Sequence, residues 1–391
     1  MKTPIKLSRN AVILIILGNF AVLVLMTLVF LCYYCRRYCR NGAEGKAENV
    51  LDKEKMAYSS YSRNISQQLP CEDRGRLVFL HGPKQFEVED LLRASAEMLG
   101  KGSFGSAYRA ALEDSSVVVV KRVKDAFASS RKEFEQHMQL LGSLKHVNLV
   151  SLRAYYYAKD EKLLVYDYLP NGSLYSLLHG NRGPNRTPLD WTRRLKIALD
   201  AALGLAYLHR SGLIHGNVKS SNILLDKHGN ACVADFCLMR LVNPSIAATR
   251  SAGYRAPEQI DNKKASQKAD IYSFGVVLLE LLTGKSPAQN SLQDEGDCID
   301  LPKWAQSVVR EEWTVEVFDL ELLRYENIEE EMVAMLQIAL VCACGQAEQR
   351  PKMSHVVKMI YNITSDRHQF PFNSPPSPSP SNSPLLDAAS H

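Results

Sequence analysis

LGKGSFGSAY occupies residues 99 to 108, and ALEDSSVVVVKRV follows at residues 111 to 123. Gly100, Gly102 and Gly105 are spaced as G-x-G-x-x-G. Glycine lets a backbone adopt left-handed dihedrals and approach phosphate oxygens closely. A dinucleotide-binding unit would enter a helix directly after such a loop. Here a polar turn, Glu113 to Ser116, leads instead into the valine run Val117 to Val120, which reads as a strand. The pattern predicts a hairpin folded over a nucleotide. Lys121 ends the valine run. A lysine in that position either snorkels to solvent or aims its charge at phosphates, and the motifs that follow it along the chain favour the second.

The surroundings of this hairpin set the class of molecule. The chain has 391 residues, 46% hydrophobic and 23% charged, with a net charge of +5. That is one large domain or two lobes plus appendages, and the charge is too mild to argue for nucleic acid. The nine cysteines form neither a paired framework nor a zinc spacing, which fits a reducing compartment. Ala11 to Tyr34 is a nearly unbroken apolar run, interrupted by Asn19 and Thr27. It is long enough to cross ~30 Å of hydrocarbon as a single transmembrane helix, and Tyr33 and Tyr34 suit an interface. Lys2, Lys6 and Arg9 precede the run and Arg36, Arg37 and Arg40 follow it, so charge alone does not orient it. Cys32, Cys35 and Cys39 lie at the membrane edge, as acylation sites or as plain thiols. The expected organisation is a short extracytosolic N-terminus (1–10), the spanning helix (11–34), a polar juxtamembrane linker (35–76), a folded domain (77–362) and a disordered Ser/Pro tail (363–391).

Further motifs follow the glycine loop in a fixed order. HGNVKSSN spans His215 to Asn222 and ADFC spans Ala234 to Cys237. Ala256-Pro257-Glu258 comes about twenty residues later, then DIYSFGVVLLELLTG from Asp270 to Gly284, then Arg350 in QRP. These match, in order, the catalytic loop H-R-D-L-x-x-x-N, the D-F-G and A-P-E segments and the central helix of protein kinases. With FEVEDLLRASAEMLGKG (86–102), EKLLVYDYLPNGSL (161–174) and HGNRGPNRTPLDW (179–191), the chain resembles the plant leucine-rich-repeat receptor-like kinases, in the subfamily rich in inactive or atypical members. Ten residues precede the apolar run, and the family's extracellular repeats are not expected among them, whether through a truncated gene model, an alternative transcript or a true short form.

The resemblance implies an α+β, two-lobed protein-kinase fold, with an N-lobe over 77–166 and a C-lobe over 170–362. It implies ATP between the lobes, with Mg²⁺ or Mn²⁺, at the plasma membrane with the domain in the cytosol. It implies partners among other receptor-like kinases or cytosolic signalling proteins. By residue, Leu99, Gly100, Lys101, Gly102, Ser103, Phe104 and Gly105 would cover the nucleotide. Ala107 and Val119 would roof the adenine, with residue types exchanged relative to the family and total volume conserved. Lys121 would grip phosphates, Asp167 and Leu169 would lend backbone groups beside the gatekeeper Tyr166, and Leu224 would close the floor. Asn222 and Asp235 would hold the metal, while Glu258, Asp270 and Arg350 would be structural. Ser245, Thr249 and Ser251 would be phosphosites, and Lys219 marks the Ser/Thr type.

Four departures bear on catalysis. Asn217 stands where the catalytic aspartate belongs. A carboxamide oxygen accepts a hydrogen bond but takes up no proton near neutral pH, and loss of a general base costs on the order of 10²–10⁴ in rate. Gly216 replaces the arginine that holds an activation-loop phosphate. His137 falls where the glutamate partner of Lys121 belongs, leaving Glu133, one turn earlier, as the acid that could substitute. Cys237 replaces the glycine after Asp235-Phe236, which restricts that backbone. The expectation is an ATP-binding, catalytically impaired receptor-like kinase homologue. The alternatives are an active Ser/Thr kinase with an atypical catalytic loop, or a membrane adaptor that binds no nucleotide.

Overall fold

A computed structural model describes residues 75–369, except 82–84, 103, 124–129, 159–160, 181–186, 242–251, 263–264, 288–299 and 312–313. The apolar run 11–34, the membrane-edge cysteines, the linker to residue 74, Ser103, Ser245, Thr249 and Ser251 lie outside the described residues. Among the described residues no helix is long and apolar enough to cross a membrane.

The first lobe is built on an antiparallel sheet of β1 (Arg76–Phe79), β2 (Ser95–Gly102), β3 (Gly105–Ala111), β4 (Val117–Val123), β5 (Leu152–Tyr157) and β6 (Lys162–Asp167). The strand order is β1-β5-β6-β4-β3-β2. Helix α1 (Val88–Arg93) precedes β2. The valines of β4 suit a pleated, half-buried surface. The β3–β4 turn closes through Ser116 N donating to Asp114 Oδ1 at 2.9 Å, an Asx turn, with Ser115 at φ 66°. Gly105 has φ 136°, and a Cβ there would lie 1.8 Å from the Arg122 carbonyl oxygen, so the hairpin end requires glycine.

Helix α2 (Arg131–Ser143) crosses behind this sheet. Phe134, His137, Met138 and Leu141 recur at i, i+3, i+4 and i+7 on its buried face. Phe134 stacks edge-on to Tyr155, with ring centroids 5.8 Å apart.

The second lobe is helical. Its helices are α3 (Leu174–His179), α4 (Trp191–Arg210), α5 (Pro257–Asn262), α6 (Gln267–Thr283), α7 (Leu301–Arg310), α8 (Glu329–Cys342) and α9 (Met353–Gln369). A short hairpin, β7 (Ile223–Leu225) with β8 (Ala231–Val233), lies between α4 and α5 in the chain. Helix α6 is buried continuously from Ala269 to Thr283, as a helix apolar on every side must be. Ser266 caps its start by accepting from Ala269 N, and Gly284 ends it in the left-handed conformation. Helix α9 runs to Gln369, and its buried apolar face reaches Ile363. One core cluster joins the lobes, with Phe134 and Met138 from α2 packed in the same set as Leu149, Phe236 and Leu238.

Candidate functional site

The loop His215 to Asn222 is held from below by α6. Asp270, buried in the first turn of that helix, accepts from His215 N and Gly216 N at 2.8 Å each and meets His209 Nε2 at 3.0 Å. Hydrogen bonds to an ionised carboxylate are the stronger kind, so the loop is fixed at its start. His215 Nδ1 accepts from Asn217 N at 3.2 Å, and Asn222 Nδ2 donates to Asn217 O at 2.9 Å. These bonds order Asn217 at both its backbone groups. What they order is an amide rather than a carboxylate.

Strand β8 delivers Asp235 to the same place. Ala234 N donates to Asn222 O at 2.8 Å, which sets Asp235 beside Asn222. Asp235 has φ 60°, a left-handed conformation that aspartate tolerates. Asn222 spends its amide nitrogen on Asn217 and keeps Oδ1 as an acceptor. Asn222 and Asp235 thus offer the all-oxygen donor set that suits Mg²⁺ or Mn²⁺. Among the described residues no cluster of three or more His, Cys, Asp or Glu could hold a metal ion. A cation here would take its remaining ligands from nucleotide oxygens and water.

Lys121 lies inside β4 rather than at its end and is buried. Its ammonium forms an ion pair with Asp235, the two side chains being 9% and 20% exposed. Shielded from water to that degree, the pair is little screened. The Phe104 ring, itself buried, sits 5.3 Å from the same ammonium. Ala107 pairs with Lys121 across β3 and β4, which puts Ala107, Val119 and Lys121 on one face. Val119, Leu169 and Leu224 are half-buried against the core, and Leu99 is exposed at the rim. Tyr166 is buried, and its phenol is pushed well above its usual pKa by burial and then by the charge of Asp235. Asp167 is exposed at the end of β6 and pairs with Arg153 at 3.5 Å.

The substitution of Glu133 for the missing glutamate fails. Its carboxylate accepts from Ser130 N at 2.9 Å, closing a capping box at the exposed start of α2. His137 faces inward as the register requires, but it meets the backbone, with Nε2 donating to Cys237 O at 3.0 Å. Cys237 adopts φ 61°, donates its N–H to His215 O at 3.0 Å and points Sγ at Ile214 O at 3.2 Å. A cysteine therefore holds the left-handed conformation that glycine would take at no cost. Gly216 has φ 81°, and a Cβ there would lie 2.9 Å from Met239 Cγ. Met239 occupies the space an arginine would need.

Arg350 donates to Glu258 through Nη1 and Nη2 at 2.7 and 2.8 Å, and packs 5.0 Å over the Tyr272 ring. Burial alone would raise the Glu258 pKa, but the Arg350 hydrogen bonds and charge leave it lowered.

One cluster escaped sequence reasoning. Glu280, fully buried in α6, accepts from Ser220 Oγ, Tyr254 OH and His179 Nε2 at 2.7 Å each. Burial and the charge of Glu280 push the Tyr254 phenol far up. The signal was present in DIYSFGVVLLELLTG, since a carboxylate inside an otherwise apolar helix must find donors.

The chain is similar to known protein kinases and inactive receptor kinases. The family model described as protein tyrosine and serine/threonine kinase matches residues 94–360. A probable leucine-rich repeat receptor-like protein kinase of Arabidopsis thaliana is 56% identical over 371 residues, covering 92% of this chain and 55% of that protein. A probable inactive receptor kinase of the same plant is 51% identical over 368 residues, covering 92% and 56%. The chain spans about half the length of these relatives. Among solved structures, the maize sucrose-induced receptor kinase 1 kinase domain bound to AMP-PNP superposes with TM-score 0.68 at 34% identity, over 74% of this chain and all of that one. The pseudokinase domain of BIR2, an immune regulator of the RLK/Pelle family, superposes with TM-score 0.65 at 32% identity, over 79% and 95%.

Proposed function

Because the chain belongs to the protein tyrosine and serine/threonine kinase family, we propose that it is a membrane-anchored receptor-like pseudokinase that binds ATP and signals by association with other kinases. The apolar run 11–34 would anchor it in the plasma membrane as a single pass, with residues 35–76 as linker and the kinase-like domain in the cytosol. Ser245, Thr249 and Ser251 would accept phosphate from a partner of Ser/Thr type.

The observation that carries this reading is the ordered loop around Asn217. Asp270 fixes its start, Asn222 fixes its middle, and the side chain at the base position is neutral. Phosphoryl transfer relies on positioning and electrostatics, with a carboxylate orienting the substrate hydroxyl. Asn217 can orient such a hydroxyl but does not take its proton. Lys121, the glycine loop and the half-buried Ala107, Val119, Leu169 and Leu224 would hold the nucleotide. A divalent cation bound at Asn222 and Asp235 would supply neutralisation of phosphate charge. Lys219, two residues after Asn217, supports the second reading of a slow Ser/Thr kinase.

Incorporation of labelled phosphate by the purified chain, beside Asn217→Asp, separates the two. The pseudokinase reading expects Asn217→Asp to exceed wild type by on the order of 10²–10⁴. Robust incorporation by wild type, equal to that of Asn217→Asp, would overturn it.

A further inference from the structure

The charges around Lys121 do not add up as they would with a glutamate at position 137. A lysine, a glutamate and a metal-binding aspartate leave one net negative charge where phosphates must bind, and a divalent cation offsets it. Here position 137 carries an imidazole, turned to the Cys237 carbonyl. Glu133 is committed to the helix cap. Among the described residues, the carboxylate that Lys121 meets is Asp235 itself. Lys121 and Asp235 cancel, and Asn217 and Asn222 are neutral. A polyanion entering this site meets no uncompensated carboxylate.

We propose that His137 is a positioning residue that frees nucleotide binding from divalent cations. By offering Lys121 no anion, it leaves Lys121 to neutralise Asp235, the charge a metal would otherwise answer. The inference deepens the proposed nucleotide-binding reading and rests on it. Close charges in a shielded site interact strongly enough for one added carboxylate to matter.

The test measures ATP affinity of the full chain by calorimetry, in chelator and in saturating magnesium. Wild type should bind ATP with affinities within about threefold of each other under the two conditions, and His137→Glu should weaken metal-free binding by roughly tenfold or more while binding in magnesium changes less. His137→Gln, which keeps a donor for the Cys237 carbonyl without a charge, should behave as wild type. Asp235→Asn provides a second reading that does not touch α2, and should tighten metal-free binding. Wild-type binding that needs magnesium, or metal-free binding weakened by Asp235→Asn, would overturn the inference while leaving nucleotide binding intact. An absence of ATP binding under both conditions would overturn the nucleotide-binding reading, and the inference with it.

Discussion

The imidazole of His137 donates through Nε2 to the backbone carbonyl of Cys237 at 3.0 Å, joining helix α2 to the residue after Asp235-Phe236. In this chain the helix behind the sheet is tied to the segment below it, rather than to the lysine in front of it. Replacing His137 by alanine withdraws a buried donor, at a cost of roughly 1–3 kcal/mol. Hydrogen exchange at Phe236 to Leu238 should accelerate in His137→Ala, while exchange in α6 stays near wild type. Unchanged exchange at those amides would show that the tie does not hold the segment.

Returning an arginine to position 216 should fail by itself. Gly216 sits at φ 81°, and a Cβ there would lie 2.9 Å from Met239 Cγ. Backbone strain and overpacking together should lower stability by about 2–4 kcal/mol in Gly216→Arg. Adding Met239→Ala should recover the packing part, so that the double variant is more stable than the sum of the single changes. A denaturant cycle over the four proteins reads this coupling. Strict additivity would exclude Met239 as the obstacle.

His215 gives the stability a pH dependence. It is fully buried, and among the described residues its Nε2 has no hydrogen-bond partner. Burial holds its pKa below 6.5, although the nearby Asp270 and Asp235 pull the other way. Below the unfolded value of about 6.5, the unfolded chain binds a proton that the native chain resists. Its contribution is therefore complete above that pH and is lost as the pH falls below it. The melting temperature should drop between neutral pH and mild acid, and His215→Phe should flatten that slope. An equal slope in both proteins would assign it to other groups.

Arg350 is buried and bonds both oxygens of Glu258. Removing one member of such a pair strands the other, at roughly 3–5 kcal/mol. Glu258→Ala should be the worse of the two truncations, because it leaves a buried cation facing carbonyls alone. Chemical denaturation of Glu258→Ala and Arg350→Ala ranks them. The Glu258 pKa is lowered in the fold, so the pair contributes stability above the unfolded carboxylate pKa. That contribution is lost as the pH falls through the folded value.

Most of the scaffold was readable because its signals are local. The glycine loop running into valines follows from residue type and order, while the Glu258–Arg350 correspondence is implied by the family resemblance. The position of His137 is likewise implied by the family pattern. The fate of Glu133 was legible in principle, since Ser130 and Glu133 stand at capping-box spacing, but helix-face geometry alone drew attention to Lys121. Met239 beside Gly216, Phe104 over Lys121 and the Glu280 cluster join residues far apart in sequence. Local pattern carries no information about such meetings.

Glu280 gathers Ser220, Tyr254 and His179 from three separate segments onto one carboxylate with no exposure to water. If any one segment detaches, the buried carboxylate loses one of its three donors. Partial unravelling of the helical lobe therefore carries a penalty of roughly 1–3 kcal/mol at this carboxylate. The lobe's cooperativity is set in part by a single acidic side chain at its centre, which penalises every intermediate in which the three segments are not all in place.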